Sequence, residues 1–93
     1  MSAALAVEPA LRQVAEDEGT EWARQRIDSL RLAGRAAAGG WPGTVSEARV
    51  RIDARLGVSF HRLSAAVSGE VVRVAYRAAQ KYWVARASRE PMI

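Results

Sequence analysis

One short segment, Thr44-Val45-Ser46-Glu47, sets the start of a helix in this chain. Its threonine and glutamate have the spacing of a capping box, in which each side chain bonds the backbone N–H of the other. Apolar residues follow on one helical face, and Gly57 then supplies a residue that tolerates the positive φ of a helix end. The apolar stripe consists of Val45, Ala48, Ile52 and Leu56. The pattern therefore predicts a helix from residue 45 to residue 56.

The chain before this segment also has helical spacing, interrupted by glycine and proline. Pro9 suits the first turn of a helix, where its missing N–H is not needed. Gly19-Thr20 either bends that helix or breaks it, in which case Thr20 caps a second helix that runs through Arg35. Residues 38–43 hold three glycines and a proline, so this segment is predicted to be a loop.

The last third of the chain predicts two more helices. Ser59 is expected to cap a short helix to about Val67, and Ser68-Gly69 to restart a longer one that ends near Ala87. No segment alternates apolar and polar residues as a strand would. We therefore expect an all-α fold, a small orthogonal bundle of four or five helices. It would form a single domain over residues 1–93, with loose termini at residues 1–8 and 88–93.

The composition excludes several kinds of site. The 93 residues include no cysteine and one histidine, which excludes disulfides, thiolate zinc sites and multi-histidine metal sites. We expect no cofactor. No run of about 18 apolar residues is present, so no membrane span is expected. The first seven residues lack a basic leader, and the expected location is the cytoplasm.

Catalysis has little support in the sequence. His61 has no evident Asp or Ser partner at a triad spacing. Asp17, Glu18 and Glu21 lie close together, but they are expected to be solvated acids. We therefore expect a protein that is not an enzyme.

The chain is basic, with a formal net charge of +4 and a pI of about 10.6. Such a charge fits an anionic partner such as nucleic acid. Every basic residue except Lys81 is arginine, which is also the composition expected of a GC-rich genome. Cations without an acid nearby on their helix are the candidates for phosphate contacts, the alternative being a solvated face. They are Arg35, Arg55, Arg62, Arg77, Lys81 and Arg86, and four of them, Arg35, Arg55, Arg77 and Lys81, are the residues expected to contact phosphates.

One segment, from Arg55 to Gly69, carries a functional motif. Its parts are Ile52 and Leu56 before the turn, Gly57-Val58-Ser59 in the turn, and Leu63 and Ser64 in a second helix. The segment resembles the turn and recognition helix of helix-turn-helix DNA-binding proteins, particularly those with the lac-repressor-like pattern. The resemblance covers about a sixth of the chain. Asp53 and Ala66 depart from the pattern, since both positions usually carry residues better suited to packing.

The resemblance implies that the second helix enters the major groove of DNA and that its exposed residues contact base edges. These residues are Ser59, Phe60, His61, Arg62 and Ala65. The alternative is an ordinary core helix, because Phe60, Leu63 and Val67 have the i, i+3, i+7 spacing of a buried face. Exposure of Phe60 would favour the DNA-reading helix, and burial of Phe60 would favour the core helix.

Aromatic residues offer a further candidate site. Trp22, Tyr76 and Trp83 lie on apolar stripes and are expected in the core. Trp41 lies between Gly40 and Pro42 in the predicted loop. It either packs between the helices or serves as an exposed interface anchor.

Two functions remain open at this point, with a third possibility behind them. The first is a small helix-turn-helix transcriptional regulator that binds double-stranded DNA as a homodimer, because two half-sites raise affinity and specificity. The alternative is a non-enzymatic protein-interaction module, such as a mobile-element-encoded inhibitor or adaptor. This module would bind an acidic partner through Trp41, Arg86 and the arginine faces. The third is a structural subunit of a larger assembly.

Overall fold

A computed structural model gives the fold and describes residues 7–87. Within these residues the chain forms four helices and no strand, which confirms the all-α prediction. The helices are α1 (Pro9–Leu32), α2 (Val45–Leu56), α3 (Val58–His61) and α4 (Ala65–Ala87). Val7 is buried against the core, so the predicted loose lead-in does not extend to it. Glu8, also in the predicted lead-in, is the N-cap of α1, and the remaining residues of the predicted loose termini, 1–6 and 88–93, lie outside the described part of the chain.

The first helix, α1, is continuous through Gly19-Thr20, so the alternative in which the helix breaks there and Thr20 caps a second helix is wrong. Glycine occurs here because α4 passes close by. A Cβ on Gly19 would lie 2.0 Å from the carbonyl oxygen of Ala75. The helix ends at Leu32 rather than Arg35, and Gly34 turns the chain with a φ of +73°.

The second helix, α2, begins and ends where the sequence predicts. The Thr44 hydroxyl accepts from the Glu47 N–H at 3.1 Å, and the Thr44 N–H donates to the Glu47 carboxylate at 2.8 Å. Gly57 follows the last residue with a φ of +59°. Ala48 and Ile52 are buried, whereas Val45 is half exposed.

The start of α4 corrects the sequence prediction. The predicted helix from Ser59 to Val67 is wrong, because α3 is a single turn that ends at His61. The Ser64 hydroxyl accepts from the Val67 N–H at 3.2 Å, as the cap of a helix does, so α4 already begins at Ala65. Ser68 lies inside α4 and its hydroxyl donates to the Ala65 carbonyl.

Three long elements pack side by side. Gly19 lies against Ala75, and further along Asp28 and Arg86 line one depression, so α1 and α4 run parallel. The second helix runs antiparallel to α1, since Glu18 bonds Arg55 whereas Gln25 bonds Arg51. The segment between α1 and α2 closes the core with Trp41, which contacts Trp22 on one side and Trp83 on the other.

Candidate functional site

The predicted DNA-reading residues lie at the corner between α2 and α4, and they do not share one helix. Phe60 is 6% exposed and belongs to the core. Leu63 and Val67 pack against the same core. These three residues therefore form the buried face that the sequence offered as the alternative, although they are spread over α3, the turn and α4.

The other residues of this corner are exposed. Ser59 and His61 lie on α3, Arg62 follows it, and Ala65 is the first residue of α4. The His61 Nε2 atom lies 3.0 Å from Asp53 Oδ1, which ties α3 to α2. Asp53, which departs from the helix-turn-helix pattern, is thus a partly exposed and paired carboxylate.

The predicted phosphate-contacting cations fall on separate surfaces. Arg35 is exposed in the segment after α1. Arg55 donates to Glu18 Oε1 at 3.1 Å, so it has a partner that sequence distance conceals. Arg77 and Lys81 lie together on α4. Only the last two therefore remain as neighbouring candidates.

Glu18 is the polar residue whose role the sequence analysis missed. It is 8% exposed, not solvated, and its carboxylate accepts from Arg51 Nε at 2.7 Å and from Arg55 Nη1. Arg51 also donates to the Gln25 amide oxygen at 3.0 Å. Glu47, one helical turn before Arg51, completes the α2 cap and does not pair with that arginine. This cluster joins α1 to α2, and its only sequence signal was the lack of a local acid for Arg55.

A groove of about 560 Å³ lies between α1 and α4. We call it the α1–α4 groove. It is lined by Arg12, Glu16 and Thr20 of α1 and by Val74, Arg77, Ala78, Lys81, Tyr82 and Ala85 of α4. The α1 residues are four apart and share one stripe, on the side of the helix away from Glu18 and Trp22, which contact α2. The groove is therefore on the face that α2 leaves uncovered.

The rim of the α1–α4 groove is basic. Arg12 and Lys81 form no ion pair with any residue in the described range 7–87. Arg77 has a distant partner, with its Nη1 atom 3.7 Å from Glu70 Oε2. Glu16 is the single carboxylate among the lining residues. The groove thus has an apolar floor and a rim with more positive than negative side chains.

A smaller depression of about 160 Å³ continues from the groove at Tyr82, which lines both. The Arg86 guanidinium lies 5.2 Å from the centre of the Tyr82 ring. Arg24 also lines this depression and bonds Glu21 and Asp28. The hydrogen bond from Arg24 lowers the pKa of the Glu21 carboxyl, and the same bond raises the pKa of Arg24.

Trp41, the predicted interface anchor, is half-buried. Its ring contacts Trp22 and Trp83, and its Nε1 atom is buried without a hydrogen-bond partner in residues 7–87. Because the ring closes the core, it is poorly placed to anchor a partner protein. Arg86 remains accessible at the smaller depression.

Comparisons with models of known protein families, with curated proteins and with solved structures gave no significant match to this chain. Of the helices in residues 7–87, none combines the length and apolar character needed to cross a membrane. No group of three or more potential metal ligands comes together in the same residues.

Proposed function

We propose that this protein is a non-enzymatic interaction module that binds an acidic protein partner in the α1–α4 groove. One observation carries the proposal. Arg12 and Lys81 are charged, accessible and without an ion-pair partner within residues 7–87, and they flank an apolar floor. An acidic partner would neutralise them and cover apolar surface in the same step.

The apolar floor favours a protein partner over nucleic acid. Contacts to a phosphate backbone require cations and hydrogen-bond donors, whereas Val74, Ala78 and Ala85 offer neither. DNA binding at the α2–α4 corner has less support, because Phe60 is buried and Ser59 to Ala65 do not form one helix.

The test compares two probes and four variants of the full chain. The probes are a labelled polyglutamate chain and a random DNA duplex, both at about 50 mM salt. We expect polyglutamate to bind. Arg77→Ala and Lys81→Ala should each lower the affinity for polyglutamate about two- to fivefold, which is the effect of losing one exposed ion pair. The matched control is Arg26→Ala, since Arg26 is exposed on α1 outside the groove.

Two results would contradict the proposal. One is an equal loss of polyglutamate affinity in Arg26→Ala, which would mean that the probe responds to net charge alone. The other is tight duplex binding that Arg62→Ala weakens and the two groove variants leave unchanged, which would favour the DNA-binding hypothesis.

A further inference from the structure

We infer that the partner segment in the α1–α4 groove is an amphipathic α-helix of about three turns, with acidic residues on both sides of its apolar stripe. This inference rests on the proposed function and specifies the kind of acidic partner. The length, floor, backbone chemistry and charge of the groove support it independently.

The dimensions of the groove suit a helix. Its floor on α4 extends from Val74 to Ala85, which at 1.5 Å per residue is roughly 16 Å. Three turns of a partner helix span the same length. Three floor side chains, those of Val74, Ala78 and Ala85, are small, so a third helix can approach closely along them, and the Tyr82 ring adds apolar surface to the same groove.

Backbone chemistry disfavours an extended peptide. Both walls of the groove are helices, and their backbone N–H and C=O groups are bonded within those helices. No strand edge exists in residues 7–87 to pair with an extended segment. A bound strand would therefore place unpaired backbone groups against an apolar floor, whereas a helix satisfies its own.

The charges specify where acids should lie on the partner helix. Arg12 lies on the α1 rim, and Arg77 and Lys81 lie one turn apart on the α4 rim. Because α1 and α4 run parallel with Gly19 at the level of Ala75, Arg12 lies at the Val74 end of the floor and Lys81 lies toward the Ala85 end. One carboxylate is therefore needed on the α1 flank at the Val74 end of the apolar stripe, and two at i, i+4 on the α4 flank. Glu16, one turn after Arg12, disfavours a partner acid at that level of the α1 rim and so restricts the register.

The experiment uses the full chain and three peptides of about 18 residues, long enough for partial helicity in isolation. The first peptide has leucine at helical spacing, flanked by glutamate. The second has the same composition with the helical period removed, and the third is polyglutamate. We expect the first peptide to bind about tenfold more tightly than the second and to gain helical circular dichroism on binding.

Matched variants locate the binding site. Ala85→Gln places a polar group on the groove floor without changing charge, and Ala54→Gln makes the same change on the exposed part of α2. We expect Ala85→Gln to weaken the binding of the first peptide about tenfold and to leave the binding of polyglutamate unchanged. Ala54→Gln should change neither affinity. Lys81→Glu reverses a charge on the rim and leaves the floor unchanged. It should therefore weaken the binding of all three acidic peptides.

The outcomes separate the inference from the proposed function. Equal binding of the first two peptides, with both weakened by Lys81→Glu, would overturn the helical partner and leave the acidic partner in place. Failure of every acidic probe would overturn both. A dimer of the chain that Ala85→Gln dissociates in sedimentation would mean that a second copy occupies the groove, which would also overturn the inference.

Discussion

Trp41 packs edge-on against Trp22, with their ring centroids 4.8 Å apart and their planes at 83°. On its other side, Trp41 lies 5.5 Å from Trp83, whose Nε1 donates to the Gly39 carbonyl at 2.9 Å. The three rings join α1, α4 and the segment between α1 and α2. Gly43 is part of this arrangement, because a Cβ there would lie within 2.6 Å of both the Trp22 and the Trp41 rings. The segment is therefore a structural part of the core.

Removal of the central ring should weaken the fold substantially. We expect Trp41→Ala to lower the free energy of unfolding by about 3 kcal/mol, at the low end for aromatic truncation because the ring is half-buried. Trp41→Phe keeps a ring and should cost only about 1 kcal/mol. Urea unfolding measures both, and near-ultraviolet circular dichroism reports the loss of ring coupling. A change below about 1 kcal/mol for Trp41→Ala would mean that the ring contributes to binding rather than to stability.

Two glycines in helices should respond oppositely to alanine. We expect Gly19→Ala to destabilise the protein by about 1–3 kcal/mol, because the new Cβ would meet the Ala75 backbone, which cannot move aside as a side chain can. Gly69→Ala should stabilise by about 0.5–1 kcal/mol, since the nearest atom is the end of the Arg73 side chain at 3.9 Å. Thermal unfolding compares the two. Stabilisation by Gly19→Ala would contradict the close approach of α1 and α4.

Helix boundaries were predictable where they depend on residues close together in the sequence. The Thr44–Glu47 cap depends on residues three apart, so the sequence alone predicted the start of α2 correctly. Gly19 carries the local signal of a helix break, but its role comes from α4, far along the chain. Ser64 and Ser68 are both possible caps, and the choice between them depends on how the preceding turn packs.

The candidate groove was predictable only in part. Arg77 and Lys81 were recognised as cations without an acid three or four residues away, because that property depends on their own helix, although Glu70, two turns before Arg77, approaches it to 3.7 Å. Their meeting with Arg12 depends on the packing of α1 against α4, which no spacing within one helix encodes. Burial of Phe60 depends likewise on tertiary packing, since the single-turn helix α3 can point its aromatic residue toward the core or toward solvent.

Glu18 should contribute to stability through charge as well as packing. We expect Glu18→Ala to cost about 1–3 kcal/mol, less than for a fully buried pair, because Arg51 and Arg55 are partly exposed and can turn to solvent. Glu18→Gln keeps the shape and removes the charge, so it should recover part of the loss. A double-mutant cycle with Arg55→Ala in urea unfolding measures the coupling. A coupling energy of zero would show that the ion pair between Arg55 and Glu18 does not contribute to stability.

Glu21 should give the clearest pH dependence. Its pKa is lowered chiefly by the hydrogen bond from Arg24, with the charge of Arg24 acting in the same direction. Because the folded-state pKa lies below the usual value of about 4.3, the contribution of Glu21 to stability is present above that pH. It fades as the pH falls through the lower, folded-state pKa. Carboxyl NMR titration of the folded protein measures the shift directly. Arg24→Ala should return the Glu21 pKa to near its ordinary value, and Arg26→Ala should leave it low. An unchanged titration in Arg24→Ala would refute the role of this pair.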